Sequence, residues 1–192
     1  MKVKTHWDNG LPLSEPVTQT MLLKIGVSIL MKHKSFGNTQ CPIARSLEHV
    51  GEWWSILILR DAFQGLTRFD QFQKSLGIAP NMLTRRLNVL VRSGLLDRRQ
   101  YSKHPPRYEY VLTGQGRDFR TVLVSLIAWG NRHFSPEGAS VVIVDSETGD
   151  QVNPVLVDQS SGLPLEESRF RLAPGPAADE RTRRRLDFPG VK

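Results

Sequence analysis

The chain has 192 residues, of which 39% are hydrophobic and 23% charged, and its 26 Lys and Arg against 19 Asp and Glu give a net charge of +7. These values exclude a disordered or fibrous chain and leave room for one well-buried domain with appendages. A single cysteine excludes an internal disulfide framework, no Cys/His cluster has the paired spacing of a zinc site, and the longest early apolar run, residues 25–31, falls short of the roughly 20 residues that span a bilayer.

In chain order, residues 1–38 read as a loosely structured N-terminal arm, because Pro12, Pro16 and Gly26 interrupt what periodicity there is. Order begins at Cys41-Pro42, since proline suits a first helical position where its missing N–H goes unused. A first helix is expected from there to about Val50, with Gly51 as its breaker. Residues 53–63 predict a strongly apolar second helix, and Phe69, Phe72 and Leu76 mark one face of a short third helix that Gly77 stops. A fourth helix runs from about Pro80 to Ser93 and closes at Gly94. With Leu83 at zero and about 100° per residue, Leu87 and Leu90 fall within about 40° of it, while Asn81, Thr84, Arg85 and Asn88 lie between about 100° and 200°. One face is core and the other polar.

Residues 95–101 and 107–112 alternate as two strands, and Ser102-Lys103-His104-Pro105-Pro106 between them makes a hairpin with a basic tip. After Thr113, an N-cap residue, Phe119, Val122, Leu123, Leu126 and Ile127 recur at helical spacing up to Trp129-Gly130, predicting a helix of roughly 30 Å. An apolar stripe of this length predicts a homodimer interface built on Leu123, Leu126 and Ile127, ahead of the alternative that it packs on the chain's own core. Residues 140–144 and 152–157 predict a small β appendage over 135–172, and the Pro-, Gly- and Arg-rich residues 173–192 predict a disordered tail. The expected fold class is α+β, mainly α: a winged helix-turn-helix domain over 39–134 with a long C-terminal dimerisation helix and the β appendage.

Charge is unevenly placed. Residues 1–38 carry +3, residues 39–134 carry +7 and residues 135–192 carry −3; between Arg85 and Arg107 seven basic residues face only Asp97. That density points to a polyanion such as double-stranded DNA. In a winged helix the fourth helix enters the major groove, where Arg85 suits guanine, Asn81 or Asn88 suit adenine, and Thr84 suits a thymine methyl or a phosphate. Arg86, at about 300° on the helix flank, and Arg68 suit phosphate, and Lys103 and Arg107 on the wing suit the backbone or the minor groove.

The segments Cys41-Pro42-Ile43-Ala44-Arg45, Trp54-Ser55-Ile56-Leu57-Ile58-Leu59-Arg60, Arg68-Phe69, Leu83-Thr84-Arg85-Arg86-Leu87, Ser93-Gly94-Leu95-Leu96, Pro105-Pro106-Arg107-Tyr108-Glu109-Tyr110 and Leu112-Thr113-Gly114-Gln115-Gly116 resemble, in order, the HxlR-type winged-helix regulators, relatives of the MarR group. The resemblance covers roughly residues 41–134. It implies a cytoplasmic transcriptional regulator that binds a palindromic operator as a homodimer, acts there as a repressor and answers to a redox, electrophile or small-molecule effector. Ala79 departs from the pattern, where relatives often carry a capping Ser. The appendage resembles an extension of longer members, some of which bear cysteines there; this chain has none after Cys41, so no metal or other cofactor is assigned.

Cys41 is the redox-sensing candidate, because a thiol at a helix start with Arg45 one turn along favours its thiolate; the alternative is a small residue that helps to cap the helix. An enzyme is not expected. His49, the nearest candidate base, stands about 12 Å along the helix from Cys41, beyond the reach of about 3 Å that proton transfer needs, and the chain lacks a Gly-rich phosphate loop or a dinucleotide fingerprint. The rival reading is a winged-helix module that binds RNA or protein without operator specificity.

Overall fold

The computed structural model describes Ser35, residues 39–166 and residues 168–187. The N-terminal arm therefore lies outside the described residues apart from Ser35. Helix α1 (Pro42–Val50) starts with its proline in the first turn and Cys41 as N-cap in extended backbone. Helix α2 (Trp53–Phe63) is mostly apolar and sits centrally, with Ile58 and Leu59 fully buried and the one acid, Asp61, buried against Arg60 at 2.7 Å. Helix α3 (Phe69–Leu76) ends at Gly77, whose φ of 61° is the left-handed conformation that glycine adopts without a steric penalty. Helix α4 (Pro80–Arg92) follows after Ile78-Ala79, and Ala79 offers no side-chain cap, as its methyl requires.

The core gathers Val50, Ile58, Leu59, Phe72, Ile78, Leu83, Leu87, Leu90, Leu95, Leu96 and Tyr110. Burial of each large member contributes about 1.5–3 kcal/mol. The three leucines of α4 in this set are those that helical periodicity assigned to its inner face.

Strands β1 (Leu96–Lys103) and β2 (Pro106–Leu112) pair antiparallel, with Leu96 opposite Leu112 and Arg98 opposite Tyr110, and an irregularity in register between Gln100 and Ser102. The strands run closer to the tip than the sequence suggested, leaving a turn of His104-Pro105. Gln100 Nε2 donates to the Ser102 carbonyl at 2.9 Å and Ser102 Oγ to the Pro105 carbonyl at 3.0 Å, which fixes the tip from within. At the other edge the Tyr110 N–H donates to the Thr67 carbonyl at 2.7 Å and Arg68 bridges to Glu109, so the segment before α3 lies against the wing.

The single long helix expected after Thr113 is divided at Phe119 into α5 (Gly114–Asp118) and α6 (Arg120–His133). Gly116 is the reason α5 can dock: a Cβ there would stand 2.0 Å from the Leu95 carbonyl oxygen, a distance no side chain tolerates. Thr113 completes this corner, its hydroxyl donating to the Gly94 carbonyl at 2.6 Å and accepting from the Gly116 N–H at 2.9 Å. The 14 residues of α6 span about 21 Å, so this helix is shorter than the roughly 30 Å expected.

Strands β3 (Ile143–Val144) and β4 (Gln151–Val152) form a hairpin of two residues each, shorter than predicted because Pro154 lacks a ladder donor. Asp145 Oδ1 closes its turn by accepting from the Glu147 and Thr148 N–H groups. Within the tail expected to be disordered, α7 (Glu180–Leu186) forms a short helix. Asp179 Oδ1 caps it by accepting from the Thr182 N–H at 2.7 Å, and Glu180 pairs with Arg184 one turn on. The Asp179 N–H donates to Gln40 Oε1 at 2.7 Å, anchoring the start of α7 beside the start of α1.

Candidate nucleic-acid interface

Helical geometry on α4 separates the candidate residues into two groups. Asn81, Thr84, Arg85 and Asn88 are exposed on one face, opposite the buried Leu83, Leu87 and Leu90. Thr84 is exposed and its Oγ1 donates to the Pro80 carbonyl at 2.8 Å, which leaves the oxygen able to accept. Asn81 Oδ1 accepts from the Met82 N–H at 2.7 Å, so its amide nitrogen is the group left to donate. The side chains of Arg85 and Asn88 engage no hydrogen bond or ion pair among the described residues and keep their full donor and acceptor sets.

Arg86 does not belong with them. It is 8% exposed, and its Nη2 lies 3.2 Å from Glu52 Oε2 at the start of α2, while its Nε is buried without a hydrogen-bond partner. The phosphate role assigned to Arg86 from its angle is thereby corrected: the side chain is spent on holding α4 against the α1–α2 corner. The physical reason is that a flank position on a helix wheel is solvent-facing only if no neighbour covers it.

Arg68 is exposed at the N-cap of α3, and its backbone N–H donates to Gln71 Oε1 at 2.9 Å. Its guanidinium rests over the Tyr101 ring, 4.7 Å from the centroid, an attraction of about 0.5–1 kcal/mol at an exposed site. Lys103 and Arg107 are exposed beside the wing tip, facing Pro106 and Ser102 across the strands. Arg98 stacks 3.6 Å from the Tyr108 centroid, and Arg99 stands 3.6 Å from Asp97. These two arginines of the wing were counted in the basic density without a role of their own; their place between Leu96 and Tyr108 on adjoining strands is what could have found them.

Cys41 is half-buried at the start of α1. Its thiol is held below the usual cysteine range, first by the backbone N–H of Ala44 and then by the Arg185 side chain of α7. The expected cationic neighbour, Arg45, is turned away, its Nε donating to the Thr39 carbonyl at 2.5 Å. His49 Nδ1 lies 2.9 Å from Ser93 Oγ and links α1 to the end of α4. Among the described residues no group of three or more His, Cys, Asp or Glu could hold a metal, and no helix is long and apolar enough to cross a membrane.

The expected partner surface on α6 also needs correction. Leu123 is 8% exposed, buried in its own domain, and Ile127 lines a cavity under the β3–β4 hairpin, whereas Leu126 is exposed together with Val122 and Trp129. Ile43 and Leu47 of α1 and Trp53 of α2 are likewise uncovered.

Comparison with known proteins places this geometry. A family profile described as HxlR-like helix-turn-helix matches residues 49–138. An uncharacterised HTH-type transcriptional regulator of Mycobacterium tuberculosis is 40% identical over 135 residues, which are 70% of this chain and 85% of the relative. A solved candidate transcription factor of Pseudomonas aeruginosa is 57% identical with a TM-score of 0.56, covering 76% of this chain and all of its own. Another solved candidate transcription factor, PA1607, is 38% identical with a TM-score of 0.64, covering 71% of this chain and 96% of its own.

Proposed function

From the premise that this chain belongs to the HxlR-like helix-turn-helix family of transcriptional regulators, we propose that it binds double-stranded DNA as a homodimer on a palindromic operator and represses by occupying it. The observation that carries this reading is the exposed stripe of Asn81, Thr84, Arg85 and Asn88 on α4, because the stripe has the width of one helix face and the donor and acceptor types that read base edges. Arg68, Arg98, Lys103 and Arg107 supply positive charge from the N-cap of α3 and the wing, where phosphate contacts would fix register without reading sequence. The uncovered Val122, Leu126 and Trp129 of α6, with Ile43 and Leu47 of α1, support a partner copy as their cover. Cys41, with its depressed thiol, is the proposed redox-responsive group.

Footprinting on the DNA upstream of the protein's own gene tests the proposal. Two protected half-sites are expected about 10–10.5 base pairs apart or at a multiple of that spacing. Arg85→Ala should cost about 1–3 kcal/mol at one base position, and Lys103→Ala should weaken every sequence alike. Uniform, salt-labile coverage of any duplex would refute operator-specific regulation.

A further inference from the structure

We propose that the cavity between α6 and the β3–β4 hairpin is a binding site for a small carboxylic acid with an apolar body. The cavity has a volume of about 260 Å³. That is below the span of about 300–1,000 Å³ that drug-sized ligands occupy, so the occupant is a compact molecule of one ring or a short chain. Its apolar wall comes from Ile127 on the helix and from Val142, Val152 and Pro154 on the appendage. Such a wall recognises hydrocarbon and gives a bare phosphate or a sugar nothing to bond.

Its polar groups are few and differ in their freedom. Asn131 Nδ2 donates to the Val141 carbonyl at 2.8 Å and so ties the appendage to the helix. Arg132, Gln151 and Asn153 also line it, and the side chains of the three engage no hydrogen bond or ion pair among the described residues; Gln151 is held by its backbone, in the ladder opposite Val144. Arg132 is exposed at the rim, and no Asp or Glu lines the cavity to neutralise it. An unpaired guanidinium at the edge of an apolar wall matches a carboxylate, because its planar fork offers two parallel N–H donors to two oxygens. The amides of Gln151 and Asn153 then cover the remaining lone pairs of the acid.

The site lies clear of the proposed partner surface. At about 100° per residue, the cavity-lining residues of α6 centre roughly 160° away from Val122, Leu126 and Trp129. An occupant would therefore press on α6 from behind without competing for the exposed stripe. The proposal stands on the cavity alone and does not need the operator reading to hold.

Isothermal titration calorimetry on the full chain tests it, with benzoate and 3-phenylpropanoate as acids and benzamide as the uncharged counterpart. At least one acid should bind with a Kd on the order of 1 mM or tighter, with benzamide at least tenfold weaker. Arg132→Gln should bring acid binding down at least tenfold, to the level of benzamide. Val142→Trp, at a position 40% exposed and so tolerant of bulk, should fill the cavity and abolish binding of acid and amide together. Absence of binding by both acids, equal binding of acid and amide, or undiminished acid binding by either folded variant would overturn the assignment.

Discussion

Arg86 offers a direct measurement of whether burial or angular position decides what a helix residue does. Truncating Arg86 to alanine removes two buried methylenes beyond Cβ, at about 0.8 kcal/mol each. It also removes the ion pair to Glu52, worth about 1 kcal/mol because the Glu52 side chain is 35% exposed and rehydrates. The unpartnered Nε contributes nothing that could be lost. Arg86→Ala should therefore destabilise by about 2.5 kcal/mol, lowering a urea midpoint by roughly 1 M at an m-value near 2 kcal/mol/M. Arg86→Met keeps the stem and deletes the buried polar group, and should cost less than about 1 kcal/mol. Circular dichroism in urea gives the midpoints, and fluorescence anisotropy gives the DNA affinity of each folded variant, which should match wild type. If Arg86→Ala instead kept its midpoint, weakened all DNA sequences alike and reduced the salt slope by about 1, the residue would be a phosphate contact after all.

Glycine positions give a second contrast. Gly116→Ala should cost about 3 kcal/mol or more, since its Cβ would strike the Leu95 carbonyl, whereas Gly130→Ala, inside α6 with nothing within 4 Å, should stabilise by about 0.5–1 kcal/mol; thermal melts that fail to order the two would disprove the packing at α5. For Cys41, a folded-state pKa held below the ordinary value means that ionisation favours folding above the ordinary cysteine pKa, a contribution lost as pH falls through the depressed one. The pH midpoint of iodoacetamide alkylation should accordingly lie below that of a free cysteine, rise in Arg185→Gln and stay put in Arg45→Gln; the opposite pattern would restore Arg45 as the partner. Light scattering after chromatography should find Leu126→Glu monomeric, while Leu123→Ala should lower stability by about 2–5 kcal/mol and leave the oligomer intact. A dimeric Leu126→Glu would remove the proposed interface from α6.

The α4 stripe was legible because its apolar residues repeat at a strict helical period, and the outward face follows by subtraction. Arg86 escaped because its burial depends on Glu52, a residue on a different helix, and no local pattern carries that distance. The apolar repeat after Thr113 correctly announced a helix, yet continued without a mark through Phe119, where the helix divides; the glycines at 114 and 116 were the available sign. Periodicity also could not say who covers a stripe: the chain's own core takes Leu123, the appendage takes Ile127, and Leu126 is left outside. Helix α7 went unread because seven residues yield little period, although Asp179, Glu180 and the arginines at its end are the residues that start and stop helices. Its contact with Gln40, 139 positions away, is of the kind only the folded chain reveals.

The corner where Thr113 and Gly116 close on Gly94 and Leu95 has one more consequence. It fastens the end of α4, the root of the wing and the start of α5 at a single point, with no slack loop between the face proposed to read DNA and the helix proposed to meet a partner. An operator lengthened by one base pair would turn its second half-site by about 34–36° around the duplex. A protein with no joint at this corner would not follow that rotation, and the DNA would have to untwist to restore the fit. Spacing would thus be read as torsional stiffness, at positions that no side chain touches.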